Sequence, residues 1–154
     1  MWCVPELDDR YIANMEDVLA VYEKAYNPKQ PVVCLDEKPI TLHGEVRPGT
    51  AAKPGREARR DSEYERRGTA NAFLAVEPKA GRHFCFPTPD RSGFQFAQVV
   101  LELALSYPEA KKIHWVMDNL NIHTKKSLTD AFGVKMGSQV WRRFAIHYTP
   151  KHGS

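Results

Sequence analysis

Apolar residues along the chain alternate between helical and extended spacing. Tyr11, Met15, Val18 and Tyr22 recur every three or four positions within residues 7–26, and acidic residues crowd the first turn. That spacing predicts an amphipathic helix, ended by Asn27-Pro28 and Pro31. Val32 to Leu35 then run unbroken into Asp36, the pattern of a buried strand. Pro39 interrupts it, and Ile40 to His43 continue in extended form. Residues 47–60 are rich in Pro, Gly and Arg and predict an exposed loop. Strands follow over 64–76 and 82–87, with a turn at Pro78 to Gly81.

The clearest helix spans 94–107. Phe96, Val100, Leu103 and Tyr107 share one face, while Val99, Leu101 and Leu105 widen the apolar surface toward deep burial. Pro108 stops it. Ile113 to Asp118 form a second apolar strand that also ends in an aspartate, and Trp115 reads as packing, as does Trp141. Thr124 is placed to cap a short helix through Phe132, and Phe144 to Tyr148 form a third short apolar run. This order predicts an α/β fold, a mixed sheet with helices packed on it, in which nothing after Tyr148 covers that side of the sheet.

Composition narrows the class. The 154 residues suffice for one domain, with 42% hydrophobic and 27% charged residues. No apolar run approaches the roughly 18 residues of a membrane span. The start, Met1 to Glu6, lacks the basic and apolar regions of a signal peptide, so a cytoplasmic protein is expected. Cys3, Cys34 and Cys85 are scattered, with no CxxC pair, and indicate neither structural zinc nor a disulfide framework. Cys34 and Cys85 read as small core residues.

The net charge of +3 is compatible with a polyanionic partner but does not require one. Lys53, Arg56, Arg59, Arg60, Arg66 and Arg67 are diluted by Glu57, Asp61, Glu63 and Glu65, which favours a solvated loop over DNA contact. Arg142, Arg143, Lys151 and His152 are a second basic group, without acids, and suit a phosphate backbone. No groove-reading element is apparent.

The chemistry lies in the two strand-end aspartates. An unpaired carboxylate at the end of a buried strand is costly, and here it occurs at both Asp36 and Asp118. On adjacent strands the two need a cation between them or one raised pKa, and Mg²⁺ or Mn²⁺ suits such oxygen ligands. The plain alternative is a turn former or helix cap, as Asp118-Asn119 allows. Glu37 alternates to the opposite strand face and suits a supporting role. His123 either orients water or phosphate or shapes a loop, and His114 reads as a packed histidine. His147 and His152 lack the further ligands of a zinc site.

Several segments resemble the mariner-like DDE superfamily of transposases, in its bacterial insertion-sequence branch (family six-thirty). Leu35-Asp36-Glu37-Lys38-Pro39-Ile40 resembles the first acidic motif, and Val116 to Thr124 (VMDNLNIHT) the second. Ile146 to Ser154 resembles the segment leading into the third, and residues 52–56 and 64–71 are similar to intervening stretches. The resemblance implies an RNase H-like fold over residues 31–154, preceded by a helix and linker over residues 1–30. It implies metal-dependent DNA cleavage and strand transfer, with Asp36 and Asp118 as ligands of Mg²⁺ or Mn²⁺ and a third acid on a C-terminal helix. Implied partners are transposon-end and target DNA, full-length transposase or a second copy, and no membrane.

The sequence departs from that pattern in three places. Asp130 is the one acidic residue after Asp118 and matches no family ligand. Residues 133–138 (GVKMGS) replace a more helical, acidic connection, and no helix-turn-helix region precedes the domain. The chain therefore reads as a catalytic domain truncated at both ends, its C-terminal helix missing, and inactive alone. Two alternatives stand beside it: a non-catalytic DNA- or transposase-binding remnant that modulates transposition, and an unrelated phosphohydrolase needing two carboxylates.

Overall fold

The computed structural model describes residues 8–150; the expectations placed on Cys3, Lys151 and His152 lie outside the described residues. Helix α1 (Asp9–Glu23) begins at Asp8, whose carboxylate accepts the Tyr11 N–H at 2.6 Å. Strands β1 (Val32–Glu45), β2 (Tyr64–Glu77) and β3 (Arg82–Thr88) form an antiparallel meander. Helix α2 (Gly93–Leu105) leads to β4 (Ile113–Met117), and α3 (Lys125–Trp141) leads to β5 (Phe144–Tyr148). The two helices supply the crossovers that parallel pairing requires, so β4 lies parallel to β1 and β5 parallel to β4. The resulting sheet has five strands in the order β3-β2-β1-β4-β5.

Alternation along the strands sorts side chains between two layers. Val33, Leu35, Phe73, Ala75, Ile113, Trp115, Met117 and Phe144 join α2 and α3 in the main core. Val116, with Val32 and Cys34 beside it, meets Val18 and Val21 of α1 on the opposite face. Burying each such apolar side chain contributes about 1.5–3 kcal/mol. Arg143 locks α2 to the sheet from behind. Its guanidinium donates to the carbonyls of Ala104 at 2.7 Å, Tyr107 at 2.6 Å and Ala110 at 3.3 Å, which satisfies the carbonyls at the end of α2.

Four local expectations are corrected. Leu105 is 67% exposed, because nine residues at 100° each turn it to the side of α2 opposite the buried Phe96. Cys85 is exposed rather than in the core. Pro39 does not interrupt β1. Pairing with β2 continues from Cys34↔Val76 to Glu45↔Tyr64, whereas pairing with β4 ends at Cys34↔Val116. Pro39 thus sits where β1 has no second neighbour, the position in a sheet that tolerates proline. The freed strands project as an exposed two-stranded arm. In the loop beyond it Arg47 pairs with Asp61 at 3.2 Å and Glu63 at 3.3 Å, and Arg60 with Glu45 at 2.8 Å.

The fourth correction concerns α3, which does not stop at Phe132. Gly133 breaks it with φ 79° and ψ 161°, a conformation open essentially to glycine alone, and helix resumes over 134–141. Thr124 occupies the cap position without a side-chain capping bond. The second segment folds back so closely that a Cβ on Gly137 would lie 2.6 Å from the Leu128 carbonyl carbon and oxygen. Backbone cannot yield as a flexible side chain does. Gly137→Ala is therefore expected to destabilise the chain by about 1–3 kcal/mol, seen as a lowered midpoint in a thermal melt. An unchanged midpoint would mean that the helical segments separate freely.

Candidate metal centre and its buried surroundings

The end of β4 meets β1 where β1 leaves that neighbour and runs on beside β2 alone. The β1–β4 register pairs Val32 with His114, Val33 with Trp115 and Cys34 with Val116; Asp36 comes two residues after the last of these on β1, and Asp118 two residues after it on the other side, just past β4. Asp36 is exposed, and its Oδ1 accepts the Glu37 N–H at 2.8 Å. The Asp118 side chain is 35% exposed. Burial raises its carboxyl above the usual aspartate range; His123 pulls it back, and the negative charges of Glu37 and Asp36 raise it again. This crowding of negative charge at one rim is what a bound cation relieves.

Glu37 points the other way, onto the core face shared by Val33 and Leu35. Its side chain is only 4% exposed, and neither carboxylate oxygen has a hydrogen-bond partner among the described residues. His123 lies beside it, wholly buried and stacked on Phe96 with centroids 4.8 Å apart. The Nδ1 edge of its ring faces Asp118, 3.0 Å from the backbone oxygen and 2.7 Å from Oδ1, and Nε2 faces Glu37 Oε2 at 3.4 Å. Burial opposes charge on His123, but Glu37 and Asp118 outweigh it and raise the imidazole above its ordinary value. His123 is thus wholly enclosed by protein in this structure.

Glu37, Asp118 and His123 are the one set of three metal-capable side chains that converges within 4.8 Å among the described residues. Sequence reasoning missed this convergence, and it missed Asn71. That residue is buried on the core side of β2, directly across from Pro39, and its amide has no partner. Its signal is the alternating row Asn71, Phe73, Ala75 and Glu77, which carries polar residues at both ends of an inward-facing face.

The remaining expected residues scatter. Arg142 is exposed, whereas Arg143 is occupied by the α2 carbonyls within the fold rather than free to meet phosphate. Asp130 is on the outside of α3, paired with Lys126. His114 and His147 lie on the sheet face under α1, 3.0 Å apart, and His147 reaches Asp17 at 2.7 Å. Trp115 is fully buried and Trp141 packs against the same core. No helix among the described residues is long and apolar enough to cross a membrane.

Comparison with solved structures finds the same fold in the Mos1 mariner transposase. The Mos1 paired-end complex with Mn aligns over 99% of this chain at 18% identity, with a TM-score of 0.53. The Mos1 strand transfer complex aligns over 99% at 16% identity, with a TM-score of 0.54. The present chain spans just under half of those chains, 46% and 45% respectively. No curated protein sequence matches it. A five-stranded mixed sheet between helices, in this strand order, is the RNase H-like fold. Residues 31–154 match the DDE superfamily endonuclease family, and the chain belongs to that family.

Proposed function

We propose that this chain is a DDE transposase catalytic domain of the bacterial insertion-sequence branch, whose ancestral activity is metal-dependent cleavage and transfer of DNA strands. The observation that carries the reading is that Asp36 lies in β1 two residues past its last pairing with β4, while Asp118 directly follows the end of β4, near enough for the two negative charges to act on each other. Family membership supports it, as does the fold shared with Mos1 structures described as paired-end and strand transfer complexes.

The donor set fits a hard divalent ion. Asp36 and Asp118 offer oxygen ligands, partly exposed toward solvent, and their mutual repulsion favours a cation. Asp36 and Asp118 are the proposed ligands of Mg²⁺ or Mn²⁺. Such an ion supplies Lewis-acid activation of water and neutralises charge on a phosphoryl oxygen. The protein's part is to hold two carboxylates in fixed register at a rim that a phosphodiester backbone can approach. Transposon-end and target DNA are the proposed substrates, and Arg142 and Lys151 are the proposed basic contacts to phosphate. Localisation in the cytoplasm, and pairing with full-length transposase or a second copy, belong to the same proposal.

A second reading is favoured by one observation: Asp130, the acid on α3, is engaged with Lys126. On this reading the chain binds DNA or transposase without cutting. Incubating supercoiled plasmid with Mn²⁺ and this chain, beside a version extended downstream to carry a third acid, separates the two. Nicking by either protein that disappears in Asp36→Asn supports the cleavage reading. Salt-sensitive DNA binding without nicking by both proteins supports the second. Nicking that survives Asp36→Asn sinks the metal assignment.

A further inference from the structure

We infer that His123 is a positioning residue for Asp118, braced from behind by Glu37, and that this buried pair fixes the aspartate's orientation toward the proposed metal. The inference rests on the metal reading of Asp36 and Asp118.

The geometry is specific to one carboxylate. A single edge of the His123 ring meets both the backbone oxygen of Asp118, at 3.0 Å, and its Oδ1, at 2.7 Å. Holding main chain and side chain of one residue together restricts both the strand-end backbone and the aspartate rotamer. Three further contacts prevent His123 itself from turning. Phe96 stacks on the ring at 4.8 Å, Glu37 Oε2 faces Nε2 at 3.4 Å, and the Tyr148 hydroxyl donates to the His123 carbonyl at 2.9 Å. The Ser127 hydroxyl donates to the Ile122 carbonyl at 2.7 Å and ties the same loop to the start of α3.

The convergence of Glu37, Asp118 and His123 has another interpretation, a second cation held by all three. The ring orientation argues against it. His123 presents Nδ1 to Asp118 and Nε2 to Glu37, so the imidazole lies between the carboxylates as a bridge. One ion would need donors from one ring nitrogen and both carboxylates to point at a common centre. The cost of the arrangement also needs a reason. A carboxylate that is 4% exposed and a histidine that is wholly buried are expensive to retain, and an apolar pair would pack with no such penalty. A rigid buried support behind a metal ligand gives the pair a use, and removal of such supports elsewhere costs about 10–100-fold in metal affinity.

Two substitutions separate positioning from packing. His123→Phe keeps a ring against Phe96 and removes both nitrogens. His123→Asn discards the ring but returns an amide donor near the Nδ1 position. Free Mn²⁺ is measured by electron paramagnetic resonance while it is titrated into the chain, its Asp36→Asn and Asp118→Asn variants, and the two His123 variants. Circular dichroism confirms that each is folded. If leaving Glu37 unpartnered unfolds His123→Phe, the double variant with Glu37→Gln replaces it.

The expected result is a Mn²⁺ affinity about 10–100-fold weaker in the Phe variant and close to the parent in the Asn variant. Parent-like affinity in the Phe variant overturns the inference, as does an Asn variant that falls as far as Phe, since packing alone then explains His123. A parent whose Mn²⁺ binding is absent, or indifferent to both Asp36→Asn and Asp118→Asn, overturns the metal reading and the positioning role with it. Parent binding that is lost in those variants upholds the metal reading whichever way His123 falls.

Discussion

Asp118→Asn is expected to raise the melting temperature of the metal-free chain at neutral pH and to abolish its stabilisation by Mn²⁺. The folded-state carboxyl of Asp118 is raised, first by burial and then by Glu37 and Asp36. Above about pH 3.9, where an unfolded aspartate gives up its proton, the native chain still holds one. The native state then binds more protons than the unfolded state, so stability falls as pH rises through this window and is lowest above the folded-state value. An uncharged Asn escapes that loss, and the backbone oxygen at position 118 that meets His123 Nδ1 is unchanged. The gain belongs near the lower end of about 0.5–2 kcal/mol, because the side chain is 35% exposed and water screens the repulsion. Below about pH 4 the difference between parent and variant should vanish. Mn²⁺ reverses the comparison, since an ion bound only by the folded state stabilises it in proportion to the logarithm of its concentration over Kd. Thermal melts of both proteins at pH 4 and 7, with and without Mn²⁺, read all of this. A variant that melts lower than the parent at pH 7 without metal, or gains as much from Mn²⁺, would refute the account.

The same site shows what a sequence discloses and what it withholds. Asp36 and Asp118 stand out because each ends an apolar run, and strand pairing needs no further information to bring such ends to one rim. Alternation likewise puts Glu37 on the face opposite Asp36. What Glu37 meets there is set by tertiary packing. His123 follows Asp118 in a turn with no periodicity, and only the fold brings Phe96, from another element, against its ring. The fold class was legible from the order of helical and extended runs. The length of the β1–β2 arm was not, because Pro39 breaks a strand in isolation but not one whose outer edge is unpaired. Nor was the hairpin in α3, which depends on one backbone angle at Gly133 and one close approach at Gly137.

Trp115→Ala is expected to be the most damaging core substitution, at about 3–5 kcal/mol. A domain of this kind has about 5–15 kcal/mol in total, so a large share of the folded population would be lost on modest heating. Trp115 is fully buried in β4, the strand that joins both halves of the sheet. It stacks on Phe96 of α2 at 5.7 Å, meets Phe144 of β5 at 4.6 Å, and lies 6.5 Å from Trp141 of α3. No neighbour can fill the space without leaving another partner, so the cavity persists. Trp115→Phe should cost far less, for a reason beyond size: the indole N–H has no hydrogen-bond partner, and removing it recovers about 1–3 kcal/mol of desolvation. The consequence for the site follows from Phe96, which stacks on Trp115 with one side and on His123 at 4.8 Å. Freed by the cavity, Phe96 releases the ring that holds Asp118. Trp115→Ala should therefore weaken Mn²⁺ binding even at temperatures where circular dichroism finds it folded, while Trp115→Phe should not. Equal melting losses in the two variants would show that the unpartnered N–H carries no penalty. Parent-like Mn²⁺ affinity in folded Trp115→Ala would show that His123 keeps its place without Phe96.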